Sequence, residues 1–350
     1  MIKHSALLKI NTKNIINNYN FFRKLKKKLI VAPTIKANAY GLGDQRIYEL
    51  FLNHGCKHFF VATLDEALNI KRNKKGTNIY VLNGIEDYDL KYFINNKIIP
   101  IVNSIEELNI IKSTKIKFGL HIDTGINRLG IDYKNLPDSV LKNNNILLIL
   151  SHLSSADEKN NNYNDVQRIR FSNIIRKTKR DIIFSLSNSN GSILNNTFLH
   201  DMVRPGIGLY GGNNKSRLQK FIKPVIELKG KIIQIKKLEK NQFVGYNQTH
   251  KTKSTKFIAI IGMGYADGIP RNLSNKGYVY FKNFKLKIVG RISMDSFTID
   301  ITKQRNILKT GMFVEIINYK YGIEEFANKC GTISNEVLTS IGSRVKRIYE

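Results

Sequence analysis

Short apolar runs alternate with amphipathic stretches through the first two-thirds of the chain. Leu29–Ile35, His58–Ala62, Asn78–Leu82, Ile98–Val102, Lys115–Ile122, Ile146–Leu150, Asp181–Leu186 and Met202–Leu209 read as strands. Several are continuous apolar runs, as expected for strands covered on both faces. The stretches between carry helical spacing, as in Thr12–Lys27 ahead of the first strand and Gln45–Asn53, closed by Gly55 as a C-cap. Thr63-Leu-Asp-Glu66 and Ser104-Ile-Glu-Glu107 are capping boxes. Eight βα units in about 200 residues predict an α/β fold, a (β/α)8 TIM-like barrel. From Phe221 the helical spacing nearly vanishes. Val225–Leu238, Phe257–Ile261, Tyr278–Lys287, Ser296–Ile301 and Met312–Ile317 predict a mostly β C-terminal domain. Gly212 to Phe221 breaks the pattern, giving a barrel over 1–220 and a β domain over 221–350.

Composition narrows the class. The 350 residues are 42% hydrophobic, enough for a real core and incompatible with a disordered, collagen-like or disulfide-stapled chain. Two cysteines, Cys56 and Cys330, fit a reducing, cytoplasmic compartment. The N-terminal apolar stretch is too short for a signal core, and no run approaches a membrane span, so a soluble protein with no membrane partner is expected. Fifty-seven Lys and Arg against 27 Asp and Glu leave a net charge of +30. That excess can mark a nucleic-acid binder. Here the basic residues are scattered, at Lys24 to Lys28, Lys71 to Lys75, Arg176 to Arg180, Lys231 to Lys240 and Lys251 to Lys256, and Lys, Asn and Ile are heavily used throughout. No specific nucleic-acid partner is expected.

In a barrel of this kind the chemistry sits after the strands. Lys36 follows the first. Shielded from water, its amine would lose proton affinity and attack carbonyls, although alone it reads better as a solvated strand-end lysine. After the fifth strand Asp123 could orient loop amides, and Arg128 could clamp a carboxylate. After the sixth comes His152, a residue type more often structural than catalytic. Ser187-Asn188-Ser189 follows the seventh, and Arg204-Pro-Gly206-Ile207-Gly-Leu-Tyr-Gly the eighth, where glycine amides could approach an anion. A lysine, arginines, a histidine, a serine and a Gly-rich anion cradle at one mouth suit pyridoxal 5'-phosphate held as a Schiff base. No metal is called for.

The run Lys36-Ala-Asn-Ala-Tyr-Gly-Leu-Gly closely resembles the cofactor-lysine signature of alanine racemases. The likeness continues through Asp123-Thr-Gly-Ile-Asn-Arg-Leu-Gly, Arg204-Pro-Gly-Ile-Gly-Leu-Tyr-Gly, Val244-Gly-Tyr, Gly262-Met-Gly-Tyr-Ala-Asp-Gly, Gly290-Arg-Ile-Ser-Met-Asp and Gly342-Ser-Arg-Val, in family order along nearly the whole chain. The resemblance implies interconversion of L- and D-alanine, a source of D-alanine for peptidoglycan. Lys36 would hold the cofactor and act as one catalytic base, serving the D-enantiomer. Tyr265 would be the other base, serving the L-enantiomer. Tyr40, Ser189, Gly206, Ile207 and Ser343 would hold the phosphate. His152 would flank the ring and support Arg204 at the pyridine nitrogen. Arg128 and the amide of Met294 would bind the substrate carboxylate. Tyr265 and Met294 would come from the partner subunit, making the active unit a homodimer with shared sites.

Two positions depart from the family. Many members carry a lysine, often carbamylated, at the position of His121, so whatever orients Arg128 must differ. Ser343 stands where some members have a phosphate-binding tyrosine. A phenol is a weak acid, with a pKa near ~10, so Tyr265 would need cationic neighbours, for which His152 and Arg204 are the candidates. The rival readings are a racemase of another or broader amino-acid range and a barrel-type amino-acid decarboxylase. The Gly-Tyr265-Ala-Asp sequence and the arginine proposed for the ring nitrogen speak against the decarboxylase.

Overall fold

The computed structural model describes residues 4–71, 76–178, 181–214 and 216–350. The basic runs at Lys71 to Lys75 and Arg176 to Arg180 fall partly outside these. The chain forms two compact units, one of residues 15–223 and one of residues 224–350 together with the N-terminal segment through Asn14. The break therefore lies at Lys223/Pro224 rather than within Gly212 to Phe221, and the first residues belong with the C-terminal unit. The reason is strand β1 (Ala6–Ile10), which finds its partners there.

After helix α1 (Thr12–Arg23), the residue 15–223 unit runs β2 (Ile30–Val31), α2 (Asp44–Asn53), β3 (His58–Val61), α3 (Leu64–Lys71), β4 (Asn78–Val81), α4 (Leu90–Asn96), β5 (Ile99–Val102), α5 (Ile105–Ile111) and β6 (Phe118–Asp123). It continues with β7 (Ile131–Asp132), α6 (Asp138–Leu141), β8 (Ile146–Leu150), α7 (Tyr163–Arg176), β9 (Ile183–Ser185) and β10 (Met202–Val203). Parallel pairs link β3-β4-β5-β6-β8-β9, and β10 pairs with β2. The ring closes through Phe60 N–H to Pro33 O (3.0 Å) at one join and Asp201 N–H to Phe184 O (3.1 Å) at the other. Eight strands make the barrel, as the apolar runs predict. β7 is a short extra edge on β6.

Side chains fill the barrel. Ala32, Phe60, Tyr80, Ile99, Ile101, Leu148, Leu150 and Met202 pack into one buried cluster. Gly119 on β6 is required there, because a methyl group at its position would collide with Ile101 Cδ1. The last strand is shorter than its apolar run: Pro205-Gly206 ends it, and Ile207–Tyr210 forms a 3-10 turn. Both N-caps form, with Glu66 N–H to Thr63 Oγ1 at 3.3 Å and Glu107 N–H to Ser104 Oγ at 3.2 Å; Glu66 also closes its box by accepting from Thr63 N–H at 3.4 Å, whereas Glu107 accepts from Asn103 N–H instead.

The other unit is built on the 13-residue strand β11 (Ile226–Leu238). Its first half pairs antiparallel with β1, Leu8 opposite Leu228, and its second half, past a bulge at Ile232/Gln234, pairs with β14 (Lys256–Ile261) after the β12–β13 hairpin (Phe243–Val244, His250–Lys251). β1 buries Ala6, Leu8 and Ile10 in strict alternation, as a half-covered antiparallel strand should. Tyr278–Lys287 is a hairpin rather than one strand: β15 (Tyr278–Phe281) and β16 (Phe284–Lys287) turn at Lys282, φ 53°. β17 (Phe297–Asp300), β18 (Phe313–Ile317), helices α8 (Ile323–Cys330) and α9 (Ser334–Thr339) and β19 (Lys346–Tyr349) complete it. With two short helices among its strands, the unit is mostly β, as expected.

Candidate active site

Lys36 begins the turn after β2. The four residues that follow, Ala37, Asn38, Ala39 and Tyr40, all have φ between 51° and 56°, a left-handed helical turn. For L-residues this costs roughly 1–2 kcal/mol each, so surrounding contacts must hold it. Ala39 N–H donates to Ile35 O (2.9 Å), Gly41 N–H to Ala37 O (2.8 Å) and Asp44 N–H to Asn38 Oδ1 (2.9 Å). Glu66 Oε1 accepts from Ala37 N–H at 2.6 Å. Tyr40 ends the turn with its ring 4.9 Å from that of Tyr210, whose hydroxyl donates to Thr34 O (2.9 Å). Burial pushes the Tyr40 phenol up to about 12. It is a neutral hydrogen-bonding group here.

The Tyr40 hydroxyl lies against Gly206, where any Cβ would overlap it. That close approach fixes glycine at 206. The amides of Gly206 and Gly208 both donate to Ser189 Oγ, at 3.0 and 3.1 Å. Two accepted bonds occupy both lone pairs, which leaves the Ser189 O–H to donate outward. Tyr40, Ser189, Gly206 and Ile207 are thus brought together at the adjoining ends of β2, β9 and β10. Ser189→Ala should leave two buried N–H groups unpaired. A loss of about 1–3 kcal/mol in urea unfolding and weaker phosphate-ester binding are the expected results.

Arg204, only 6% exposed, follows β10. Its NH1 donates to Ser185 O and Oγ, and NH2 to Ser151 O and, at 3.5 Å, to Leu186 O. Of the five donors in its fork, Nε–H is left for another acceptor. No carboxylate pairs with it among the described residues, and burial pushes it down to about 9, so it stays charged at neutral pH. His152, after β8, has Nε2 3.4 Å from Asn188 Nδ2. Burial, then Arg204 and Arg128, hold it well below the ordinary histidine range. His152 is therefore neutral, and the expectation that it serves as a cationic neighbour fails: the barrel interior and the arginines expel its proton.

Arg128 stands exposed on the loop after β6. Asp123 Oδ1 shapes that loop by accepting from the amides of Gly125 (2.7 Å), Ile126 (3.0 Å) and Asn127 (3.3 Å). Lys36 is held below the ordinary lysine range by burial first and by Arg128 second, with Glu66 opposing. His121, at the end of β6, bonds through Nδ1 to Asn103 Oδ1 at 2.9 Å, while its buried Nε2 has no partner among the described residues.

Burial pushes His121 down to about 3 and His200 to about 4. Both folded values lie below the unfolded value near ~6.5, so the unfolded chain binds more protons between them. Stability is then complete above that pH and is lost as pH falls toward 4, by about 1.4 kcal/mol per pH unit for each histidine. Urea midpoints measured from pH 7 to 4 should fall accordingly, and His121→Gln should flatten the slope.

Tyr265, Met294 and Ser343 form a second cluster in the other unit. Tyr265 opens the 3-10 turn Tyr265–Asp267. Tyr265 N–H donates to Ser293 O (3.1 Å) and Ala266 N–H to Met294 O (3.0 Å). Asp267 anchors the turn: Oδ2 accepts from Gly264 N–H (2.9 Å), and Arg344 bonds both its oxygens at 3.0 Å. Arg344 also pairs with Asp295 at 2.7 Å. The neighbouring Ser343 is exposed. Hydrogen bonds hold the turn on both sides, yet Tyr265 and Met294 are 44% and 53% exposed. Glu66 and Asn188 are placed by the sequence, in a capping box and after the seventh strand, but given no role at the site. Glu66 carries a visible signal, its capping box, but nothing in that pattern shows its reach to Ala37.

A phosphate-bearing aldehyde needs an amine of lowered proton affinity, cations without acids to neutralise them, and donors that surround a dianion. The mouth of this barrel supplies all three, and its fold and site define a pyridoxal-phosphate enzyme of the barrel type. The model of the alanine racemase N-terminal domain matches residues 10–214, and that of the C-terminal domain residues 225–349. The alanine racemase of Rickettsia canadensis is 36% identical over 98% of both chains, and that of Brucella suis 34% identical over 98% of this chain and 93% of its own. The crystal structure of alanine racemase from Bartonella henselae with covalently bound pyridoxal phosphate superposes with a TM-score of 0.93 at 34% identity, covering 99% of this chain and 100% of that one. The chain belongs to the alanine racemase family of pyridoxal-phosphate-dependent isomerases. None of its described helices is long and apolar enough to cross a membrane.

Proposed function

We propose that the chain interconverts L- and D-alanine with Lys36 and Tyr265 as its two bases, and that it works as a homodimer with shared sites. Bound pyridoxal phosphate would supply an electron sink beside the substrate α-carbon and so make its proton removable. Inverting that carbon requires a base on each face, one to take a proton and one to give it back. The Lys36 amine, held neutral more readily than an ordinary lysine, serves the D-enantiomer. The Tyr265 phenol serves the L-enantiomer. The Arg128 fork and the Met294 amide hold the carboxylate. Tyr40, Ser189, Gly206, Ile207 and Ser343 hold the phosphate. His152 flanks the ring as a neutral imidazole, and Arg204 offers Nε–H to the ring nitrogen. So strong a base as guanidine does not give that proton up, which weakens the sink and guards against reprotonation at the wrong carbon.

The observation that carries this reading is Lys36 itself: a half-buried amine after the first barrel strand, acted on by the Arg128 charge and held below the ordinary lysine range. Two buried, unpaired thiols, Cys56 and Cys330, support a cytoplasmic setting. The shared site rests on Tyr265 and Met294 being exposed at a hydrogen-bonded turn outside the barrel unit. Mixing inactive Lys36→Ala and Tyr265→Phe chains tests it, because one hybrid dimer site is then intact. Recovery of alanine racemisation is expected. No recovery, with hybrid dimers demonstrated by mass, would refute sharing.

A further inference from the structure

Glu66 closes a capping box with Thr63 at the start of α3, but its carboxylate reaches further than the cap. Oε2 accepts from Ala62 N–H at 2.7 Å, and Oε1 crosses to the left-handed turn after β2 to accept from Ala37 N–H at 2.6 Å. The residue it grips is the one next to Lys36 and the first of four in a strained conformation. We propose that Glu66 is a positioning residue for Lys36: its carboxylate clamps the strained turn and presents a negative charge to the amine. The inference rests on Lys36 being the cofactor lysine.

Glu107, the corresponding residue of α5, shows what the clamp would be without that role. Its carboxylate accepts from Asn103 N–H at 2.9 Å and also from Ile85 N–H in the preceding βα loop. Both glutamates thus tie a helix start to the loop before it. Only the Glu66 loop carries a lysine. The charged and titratable groups acting on Lys36 are Arg128 from the loop after β6 and Glu66 from α3, while the neutral His152 after β8 feels the lysine charge in turn. Arg128 disfavours the protonated amine and Glu66 favours it. Removing the Glu66 charge leaves Arg128 unopposed, so proton loss from the lysine nitrogen should move to lower pH.

The test titrates the visible absorbance of the lysine-bound cofactor in the full-length holoenzyme against pH. Glu66→Gln should shift the transition to lower pH, because the amide loses the charge, while its single oxygen can still accept from one of the Ala37 and Ala62 amides. Glu107→Gln should lower the melting temperature and leave the transition in place. Glu66→Asp keeps the charge but is one methylene too short to hold Ala37. It should keep the transition and lose about tenfold in kcat, the worth of one charge-assisted hydrogen bond, with KM unchanged. An unmoved transition in folded Glu66→Gln, or a wild-type kcat in Glu66→Asp, overturns the proposal. A purified chain with no cofactor absorbance would instead refute the functional reading. The Lys36 amine can then be titrated by competitive acetylation and mass spectrometry, and the absence of a downward shift in Glu66→Gln there overturns the clamp on its own.

Discussion

Replacing Lys36 by alanine should abolish racemisation, by at least ~10⁴-fold, because one group is asked both to hold the cofactor and to move a proton. The loss should be chemical rather than structural. The turn that follows is held by backbone bonds from Ile35 to Asp44, by Glu66 and by the Tyr40–Tyr210 contact, none of which uses the Lys36 side chain. Removing a partly buried amine acted on by the Arg128 charge also relieves a repulsion. The melting temperature of Lys36→Ala should therefore equal or slightly exceed that of the native chain stripped of cofactor. Its purified form should be colourless, and borohydride should leave no reduced adduct on the polypeptide. A variant that still forms a reducible covalent adduct and racemises alanine normally would remove Lys36 from its role.

The barrel was legible because its strands are apolar on both faces, which leaves unbroken runs such as Ile146–Leu150 that a half-exposed strand would not show. The β unit was less so. β1 and β19 are five and four residues long; β1 pairs with β11 and with β19, each across more than 200 positions of sequence, so no local signal announces them. The hairpin at Lys282 was hidden because its turn carries Lys-Asn where Asn-Gly would have announced it. The site divides the same way. Strand-end residues such as Lys36, His152 and Arg204 follow from the barrel rule. Tyr265, Met294 and Ser343 were found through resemblance, because a Gly-rich turn in a β unit has no chemistry of its own. The handedness of the Lys36 turn was illegible. Ala-Asn-Ala-Tyr has no glycine and favours a right-handed helix locally, and only tertiary contacts, with Glu66 prominent among them, force it left. The neutral state of His152 is likewise a property of burial among arginines, which a one-dimensional reading cannot see.

Tyr265→Ala should separate the two directions of proton removal. With the phenol gone and Lys36 untouched, the variant should still bind the cofactor covalently. Lys36 should still draw the α-proton from D-alanine, while removal from L-alanine should fall by about 10²–10⁴-fold, the usual worth of one acid–base group. Net racemisation should fall at least as far, since no proton can be delivered on the vacated face. The geometry makes this a clean experiment. The turn Tyr265–Asp267 is held by its backbone bonds to Ser293 and Met294 and by the Asp267–Arg344 pair, and the Tyr265 ring is 44% exposed rather than part of the core. Truncating it should cost less than about 1 kcal/mol, as for surface positions generally. Were Tyr265 a packing residue instead, the variant would lose stability or cofactor and both enantiomers would suffer alike. The deciding measurement is exchange of the α-hydrogen for deuterium in heavy water, followed separately for D- and L-alanine. Equal loss from both enantiomers, in a folded and cofactor-loaded variant, would end the assignment of one base to each face.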